Sequence, residues 1–274
     1  MYNFKASNSW LERFKKRHNL VYRCKSNSCV LPKEKIIEKT RILDERICMA
    51  LEDKGGANLN GIANMDQTNI QFGKTFDSSL DFKGRKDILI KKSKFEKITC
   101  TIVLCCTTDG TLLNPLIVFK EQIGRIGPTV SKKITVPDNI IVTGSKSGWT
   151  RNVEIKYWFD TVWAKSKYKD DHLLLMDSYP CHTSKETTNY ISQKQHIVGY
   201  LPSNCTNLFQ PLDVTVNKVF KDKLKHHLYE NENNNTYGTN FRQAIIDAVV
   251  FARADVSSKL IQKGFEKSNL SHYF

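Results

Sequence analysis

Three aspartates in this chain have the type and placement that metal-assisted chemistry requires. Asp66 closes a short strand-like run, GIANMDQT over 61–68, Asp177 closes HLLLM, and Asp213 opens a helical stretch after SNCTNLFQPL. The first two are separated by 110 residues and the last two by 35. In an open α/β sheet, chemistry gathers at the carboxyl ends of strands, so Asp66 and Asp177 could meet there. Clustered carboxylates repel one another unless cations lie between them, and an all-oxygen donor set suits Mg²⁺ or Mn²⁺. Two such ions can activate a water or hydroxyl and stabilise the leaving oxygen when a phosphodiester is cut. Spacing alone is a weak signal, because 28 acidic residues offer many triples.

The elements that must position these residues are legible around them. HLLLMDSYPCH, residues 172–182, places four apolar residues, Leu173 to Met176, before Asp177. Such a run is too short for a buried helix and suits a strand covered on both faces. A carboxylate at its tip is costly unless solvated, paired or bound to a cation. Two roles fit Asp177, a cap for the helix that follows or a metal ligand. Upstream, Ile98 to Cys106 reads as a strand, Asp109 and Gly110 as a hairpin turn, and Thr111 to Phe119 as a third strand interrupted by Pro115. A brief strand over 140–143 and an aromatic-rich helix over 151–166 follow, with Tyr157, Trp158, Phe159 and Trp163 read as core. After Asp177 come a helix over about 183–193 and a strand over 197–201, an alternation that predicts parallel pairing. The helix from Asp213 carries Asn217, Lys218, Lys221 and Lys225 at three- and four-residue intervals; ENENNN then breaks the chain before closing helices over about 239–253 and 256–267.

Composition narrows the partners. Forty-two Lys and Arg against 28 Asp and Glu give a net charge of +14, which points to an acidic polymer or surface. Residues 1–30 hold seven basic residues against one acid, Glu12. No apolar run approaches the roughly 18 residues of a membrane span, and no secretory leader is evident, so a soluble, intracellular protein without membrane partners is expected. Cys100, Cys105 and Cys106 fall in apolar runs and read as reduced core residues. Cys24 and Cys29 lack a second pair at zinc-finger spacing.

Near the N-terminus, residues 7–18 (SNSWLERFKKRH) predict a short helix capped by Ser7 or Asn8, with Trp10, Leu11 and Phe14 on one face and Arg13, Lys15, Lys16 and Arg17 over the rest. A solvated surface helix and a DNA-reading helix both fit that pattern. Residues 33–53 predict a second helix after Pro32, ended by Gly55 and Gly56, and a domain boundary near Asn58.

NMDQT, TTDGTLLNPLIVFK, SGWTRN, LLLMDSYPCHTS and QPLDVTVNKVFK resemble, in order, the DDE superfamily endonuclease domain of pogo and Tigger-type transposases in the mariner superfamily. FKASNSWLERFKKRHNL is similar to the last part of the helix-turn-helix domain shared by centromere protein B and these transposases, and the earlier helices of that unit are expected to be missing. The resemblance implies an α/β fold with an RNase H-like mixed sheet flanked by helices, plus a small, incomplete all-helical N-terminal segment. It implies a division into a helix-turn-helix remnant over 1–22, a linker and connecting helix over 23–57, the endonuclease domain over 58–230 and C-terminal helices over 231–274. Asp66, Asp177 and Asp213 match the three acids that hold Mg²⁺ or Mn²⁺ for DNA strand cleavage and transfer. The implied partner is DNA, with self-association on it, and the implied compartment is the nucleus.

Further residues take roles from the same resemblance. Ser7, Trp10, Arg13, Lys16 and Arg17 are the candidate DNA contacts of the N-terminal helix. By position rather than resemblance, Lys218, Lys221 and Lys225 fit a solvated helix face, but one to three turns after Asp213 they are also well sited to meet phosphates. His182 matches a histidine common in the superfamily; it and Asn217 are expected to support the acids, with contact to substrate or a hydrogen-bonded structural role the alternatives for the histidine. Gln67 stands where many relatives carry Glu. A domesticated or truncated protein that binds DNA in the nucleus without cutting it is the competing reading, and an RNA-processing nuclease a more distant one.

Overall fold

The computed structural model describes residues 7–19, 32–52, 59–71, 99–233 and 240–270. The chain divides into two compact units, Met1–Ile36 and Ile37–Phe274. In the first, α1 (Asn8–Arg17) is capped by Ser7, whose hydroxyl accepts the Trp10 N–H at 3.2 Å, and Trp10 stacks on Phe14 at 5.0 Å. α2 (Lys33–Glu52) runs into the second unit and buries Leu43 and Ile47 there. Cys24 and Cys29 lie outside the described residues.

A six-stranded mixed sheet organises the second unit: β1 (Gly61–Gln71), β2 (Thr99–Thr107), β3 (Leu116–Lys120), β4 (Ile141–Ser145), β5 (His172–Met176) and β6 (Val198–Tyr200), in the order β4-β3-β2-β1-β5-β6. Between β3 and β4 lies the single turn α3 (Pro128–Ser131). β2 is antiparallel to β3, as the Asp109–Gly110 hairpin requires, and also to β1; β1 with β5, β5 with β6 and β3 with β4 are parallel. Pro115 lacks an N–H for the ladder, so β3 starts only after it, and upstream Leu112 merely bridges Cys106.

Helices cover both faces. α4 (Asn152–Trp158), continued by a π-turn over Phe159–Trp163, packs with α5 (Pro180–Thr183) and α6 (Lys185–Gln193) on one side. The core there joins Met65, Val103, Leu174 and Met176 to Trp158 and Trp163, so these aromatics are core as their spacing suggested. α7 (Thr206–Phe209), a π-turn over Leu212–Val216, α8 (Asn217–Asn233), α9 (Phe241–Ala254) and α10 (Ser258–Lys267) follow, and Asn64 of β1 accepts the Leu212 N–H at 3.2 Å. Ile245, Ile246, Val249, Ile261 and Phe265 are buried.

Two boundaries depart from expectation for physical reasons. The first strand does not end at Asp66. Its antiparallel partner β2 pairs with it from Ala63–Thr107 to Gln71–Thr99, which holds the strand extended through Asp66 and beyond. The helix after Asp177 is split, because Ser184 takes extended backbone angles and caps α6 by accepting the Thr187 N–H. The described cysteines, Cys48, Cys100, Cys105, Cys106, Cys181 and Cys205, are free thiols, and burial pushes the Cys100, Cys105 and Cys106 thiols well up. Among the described residues no helix is long and apolar enough to cross a membrane.

Candidate active site

The parallel β1–β5 ladder ends with Asn64 opposite Leu175. Asp66 and Asp177 each lie two residues beyond that pair, so the two strands deliver their carboxylates to the same level of the sheet. Asp66 is buried, 8% exposed, on the face that carries the π-turn and α8. There the Asn217 Nδ2 donates to Asp66 at 2.5 Å and to Asp213 at 2.9 Å. One amide thereby ties the first acid to the third. The π-turn over Leu212–Val216, in which the Asn217 N–H bonds to the Leu212 carbonyl five residues back, brings Asp213 and Asn217 to this edge.

Burial pushes the Asp66 carboxyl up to about 7; repulsion from Asp213 and Asp177 adds to it, and the Asn217 hydrogen bond only partly offsets the two. Asp66 thus feels both other acids. Among the described residues, however, no three Asp, Glu, His or Cys side chains are gathered tightly enough to share an ion. The donors themselves fit a hard divalent cation, being oxygens throughout, and the buried Asn217 Oδ1 has no hydrogen-bond partner in the protein.

On the opposite face of β1, the side chain next to Asp66 reaches the second acid by another route. Thr150 donates to the Gln67 Oε1, the Gln67 Nε2 lies 2.5 Å from the His182 Nε2, and the His182 Nδ1 lies 2.5 Å from the Asp177 Oδ1. With His182 neutral, all three hydrogen bonds run one way towards Asp177; with His182 protonated, the Gln67 amide turns over so that its oxygen meets the Nε2–H. Burial pulls the buried His182 imidazole down, but its hydrogen bond to Asp177 and its contact with Cys181 outweigh that and hold it up at about 10. Asp177 also accepts the Tyr179 N–H at 3.2 Å, and Tyr179 rather than Asp177 is the residue preceding α5, so the carboxylate makes a tight turn instead of a helix cap.

The remaining candidates fall in two places. Lys218, Lys221 and Lys225 share one stripe of α8, beginning one turn after Asp213, while Phe220, Leu224 and Leu228 on the same helix are buried. Ser7, Trp10, Arg13, Lys16 and Arg17 all lie on or next to α1; Arg13 donates to the Ser9 carbonyl at 3.2 Å, and none of the α1 residues is buried. Sequence reasoning gave no role to Thr150 or Arg46. Arg46 of α2 donates to the carbonyls of Tyr200 and Leu201 at 3.0 and 3.1 Å, clamping the end of β6 and the residue after it. Only the SGWTRN motif marked Thr150, and nothing marked Arg46 in a helix rich in charge.

Residues 97–265 match the DDE superfamily endonuclease family. The chain belongs to that family. The match takes in Asp177 and Asp213 and begins after Asp66. Residues 2–24 match the Tc5 transposase DNA-binding domain. Relatives include the human pogo transposable element with ZNF domain, 25% identical over 81% of this chain and 15% of that protein, and the human Tigger transposable element-derived protein 7, 27% identical over 77% and 39%. The chain therefore spans well under half the length of either. The structure of the Mos1 strand transfer complex is similar at a TM-score of 0.53 and 12% identity, covering 96% of this chain and 67% of that one. The fold is accordingly the RNase H-like mixed sheet with flanking helices that the sequence resemblance implied.

Proposed function

We propose that this DDE-family chain binds DNA and, with Mg²⁺ or Mn²⁺ held by Asp66, Asp177 and Asp213, cleaves and transfers DNA strands. The observation that carries the reading is the delivery of Asp66 and Asp177 to one level of the sheet, with Asp213 tied to Asp66 through Asn217. Divalent ions held by Asp66, Asp177 and Asp213 would supply the activation of a water or hydroxyl and the stabilisation of the leaving oxygen. The chain's own part is to place the donors. Asn217 holds Asp66 and Asp213 together, His182 orients Asp177, and Gln67 and Thr150 brace His182 from the sheet. Lys218, Lys221 and Lys225 take phosphates beside Asp213, and the basic side chains of α1 supply further contacts, in keeping with a net charge of +14. The nucleus is the compartment where such a substrate is met.

The purified protein is expected to nick supercoiled plasmid in the presence of Mn²⁺, and Asp177→Asn is expected to abolish the nicking. Equal nicking by the variant overturns the assignment of the acids. The second reading, a nuclear DNA-binding protein without cleavage, is favoured by the pairing of Asp177 with His182 and by the separation of the three acids. It predicts salt-dependent DNA binding with no nicking under any divalent cation.

A further inference from the structure

β6 is the last strand of the sheet, so one of its edges has no neighbouring strand. On the inner side the Leu174 N–H bonds to the Ile197 carbonyl and the Leu201 N–H to the Met176 carbonyl, which turns the main-chain groups of Val198 and Tyr200 outward. Arg46 of α2 caps the outward Tyr200 carbonyl at 3.0 Å. Among the described residues, the Val198 N–H and carbonyl have no partner. An uncapped edge of this kind is a template for another extended chain.

The space beside that edge is hollow. Two adjoining recesses of about 460 and 410 Å³ share Ala50 of α2 with Val198 and Tyr200 of β6. Arg46 and Met49 of α2 line the first, and Ile191 of α6 lines the second. Ala50 is the small residue that keeps α2 from closing onto the strand. Met49 stays 64% exposed at the rim, although Leu43 and Ile47 of the same helix are buried.

Charge decides what kind of chain fits. Arg46 donates through Nη1 alone, to the Ser178 hydroxyl at 3.4 Å and to the carbonyls of Tyr200 and Leu201 at 3.0 and 3.1 Å. Among the described residues its Nε and Nη2 donate to nothing, and neither recess is lined by an Asp or Glu. A partly buried guanidinium with two aligned donors to spare, set beside apolar walls, suits a carboxylate. A second copy of this chain is a poor source for it, because two bodies of charge +14 repel.

We infer that the open edge of β6 docks an extended acidic segment of a partner protein. One residue of the segment pairs with the Val198 N–H and carbonyl, small apolar side chains on either side enter the two recesses, and a Glu or Asp meets the Nε and Nη2 of Arg46. Ser178, on the same guanidinium, adjoins Asp177, and Tyr200 donates to the His182 carbonyl at 3.2 Å. The occupant therefore lies against the turn that carries Asp177.

The test uses the whole chain and a fluorescein-labelled peptide that alternates valine with glutamate, read by anisotropy. Two controls accompany it, the same peptide with lysine for glutamate and one with proline at the pairing position, which removes the N–H. The glutamate peptide is expected to bind roughly 10-fold or more tightly than either control. Arg46→Gln, whose amide can still cap the Tyr200 carbonyl, is expected to lose the preference for glutamate. Ala50→Trp, which fills the recesses and leaves the Arg46 clamp in place, is expected to lose binding altogether. Hydrogen exchange is expected to show the Val198 N–H protected by the peptide in the parent protein and unprotected in Ala50→Trp. Absence of binding, equal binding of glutamate and lysine peptides, or binding that survives Ala50→Trp overturns the docking site. Self-association of the parent chain in sedimentation, abolished by Ala50→Trp, makes a second copy the occupant and overturns the acidic partner.

Discussion

The side-chain amide of Asn217 donates to the buried Asp66 carboxylate at 2.5 Å, and the same nitrogen reaches Asp213 at 2.9 Å. A neutral group thus stands between two acids, while burial, with repulsion from Asp213 and Asp177 added to it, drives Asp66 up to about 7. Removing that donor leaves a buried carboxylate with one fewer partner. Asn217→Ala is expected to lower stability by about 1–3 kcal/mol, read from urea unfolding without divalent metal, and to reduce Mn²⁺-dependent nicking. Asn217→Asp, which adds a third negative charge in contact, is expected to destabilise more. An alanine variant as stable as the parent would mean that the amide is not holding the two acids.

Metal binding offers a readout independent of cleavage. A cation that binds only the folded chain stabilises it by about 2.7 kcal/mol at a hundred times its dissociation constant. Millimolar Mg²⁺ or Mn²⁺ is therefore expected to raise the unfolding midpoint, and EDTA to reverse the rise. Asp66→Asn removes a buried charge that repels Asp213 and Asp177, so without metal it is expected to be at least as stable as the parent, yet insensitive to Mn²⁺. A metal-dependent shift persisting in Asp66→Asn would place the ion elsewhere.

How far the sequence carried this picture depends on the kind of feature. HLLLM is unmistakable, because a buried parallel strand has both faces apolar and shows as an uninterrupted run. Asp66 is harder to place, since its strand alternates a core face through Met65 with a polar face through Asn64 and Asp66, and the partner that keeps it extended, β2, lies beyond a long intervening segment. The two π-turns carry no signature in residue type, yet one of them sets where Asp213 and Asn217 meet Asp66. The Thr150–Gln67–His182 chain joins three separate segments and is a product of packing, which no local pattern encodes.

That chain makes its own prediction. If Gln67 and His182 fix the carboxylate of Asp177, then Gln67→Ala and His182→Ala should each lower metal-dependent nicking by roughly 10- to 100-fold with little change in the affinity for paired DNA. His182→Asn, which can still donate to Asp177, should recover part of the loss. Affinity falling in step with nicking would instead make these residues DNA contacts.

Acid stability should turn on a residue far from the acids of the site. Burial would raise the Asp109 carboxyl, but hydrogen bonds from Thr107, Tyr168 and Thr111 outweigh it and lower the group from 3.8 to about 2. The sign follows from linkage: a depressed carboxyl adds stability that is complete above pH 3.8 and is lost as the pH falls towards 2. Because Asp109 is partly exposed, with Lys167 4.0 Å away, the contribution after solvent screening is about 1 kcal/mol. Asp109→Asn is expected to be less stable than the parent at pH 6 by about that amount and to show a shallower fall in stability between pH 4 and 2. Parallel pH profiles for the two proteins would show that the Tyr168–Asp109 contact does not link the β2–β3 hairpin to the segment before β5.

The stripe of Lys218, Lys221 and Lys225 can be separated from the general positive charge by its salt dependence. Each lysine that neutralises a phosphate releases counterions, and the slope of log K against log salt changes by about 0.9 per contact on duplex DNA. Replacing all three by Gln is therefore expected to flatten the slope by about 2 to 3 and to weaken binding alike for unrelated sequences, since phosphates carry no sequence information. Their start one turn after Asp213 adds a second expectation: nicking should fall further than affinity, because a strand held loosely at α8 is presented poorly to the acids. A triple variant with the parent's slope would return these lysines to the solvated face of a surface helix.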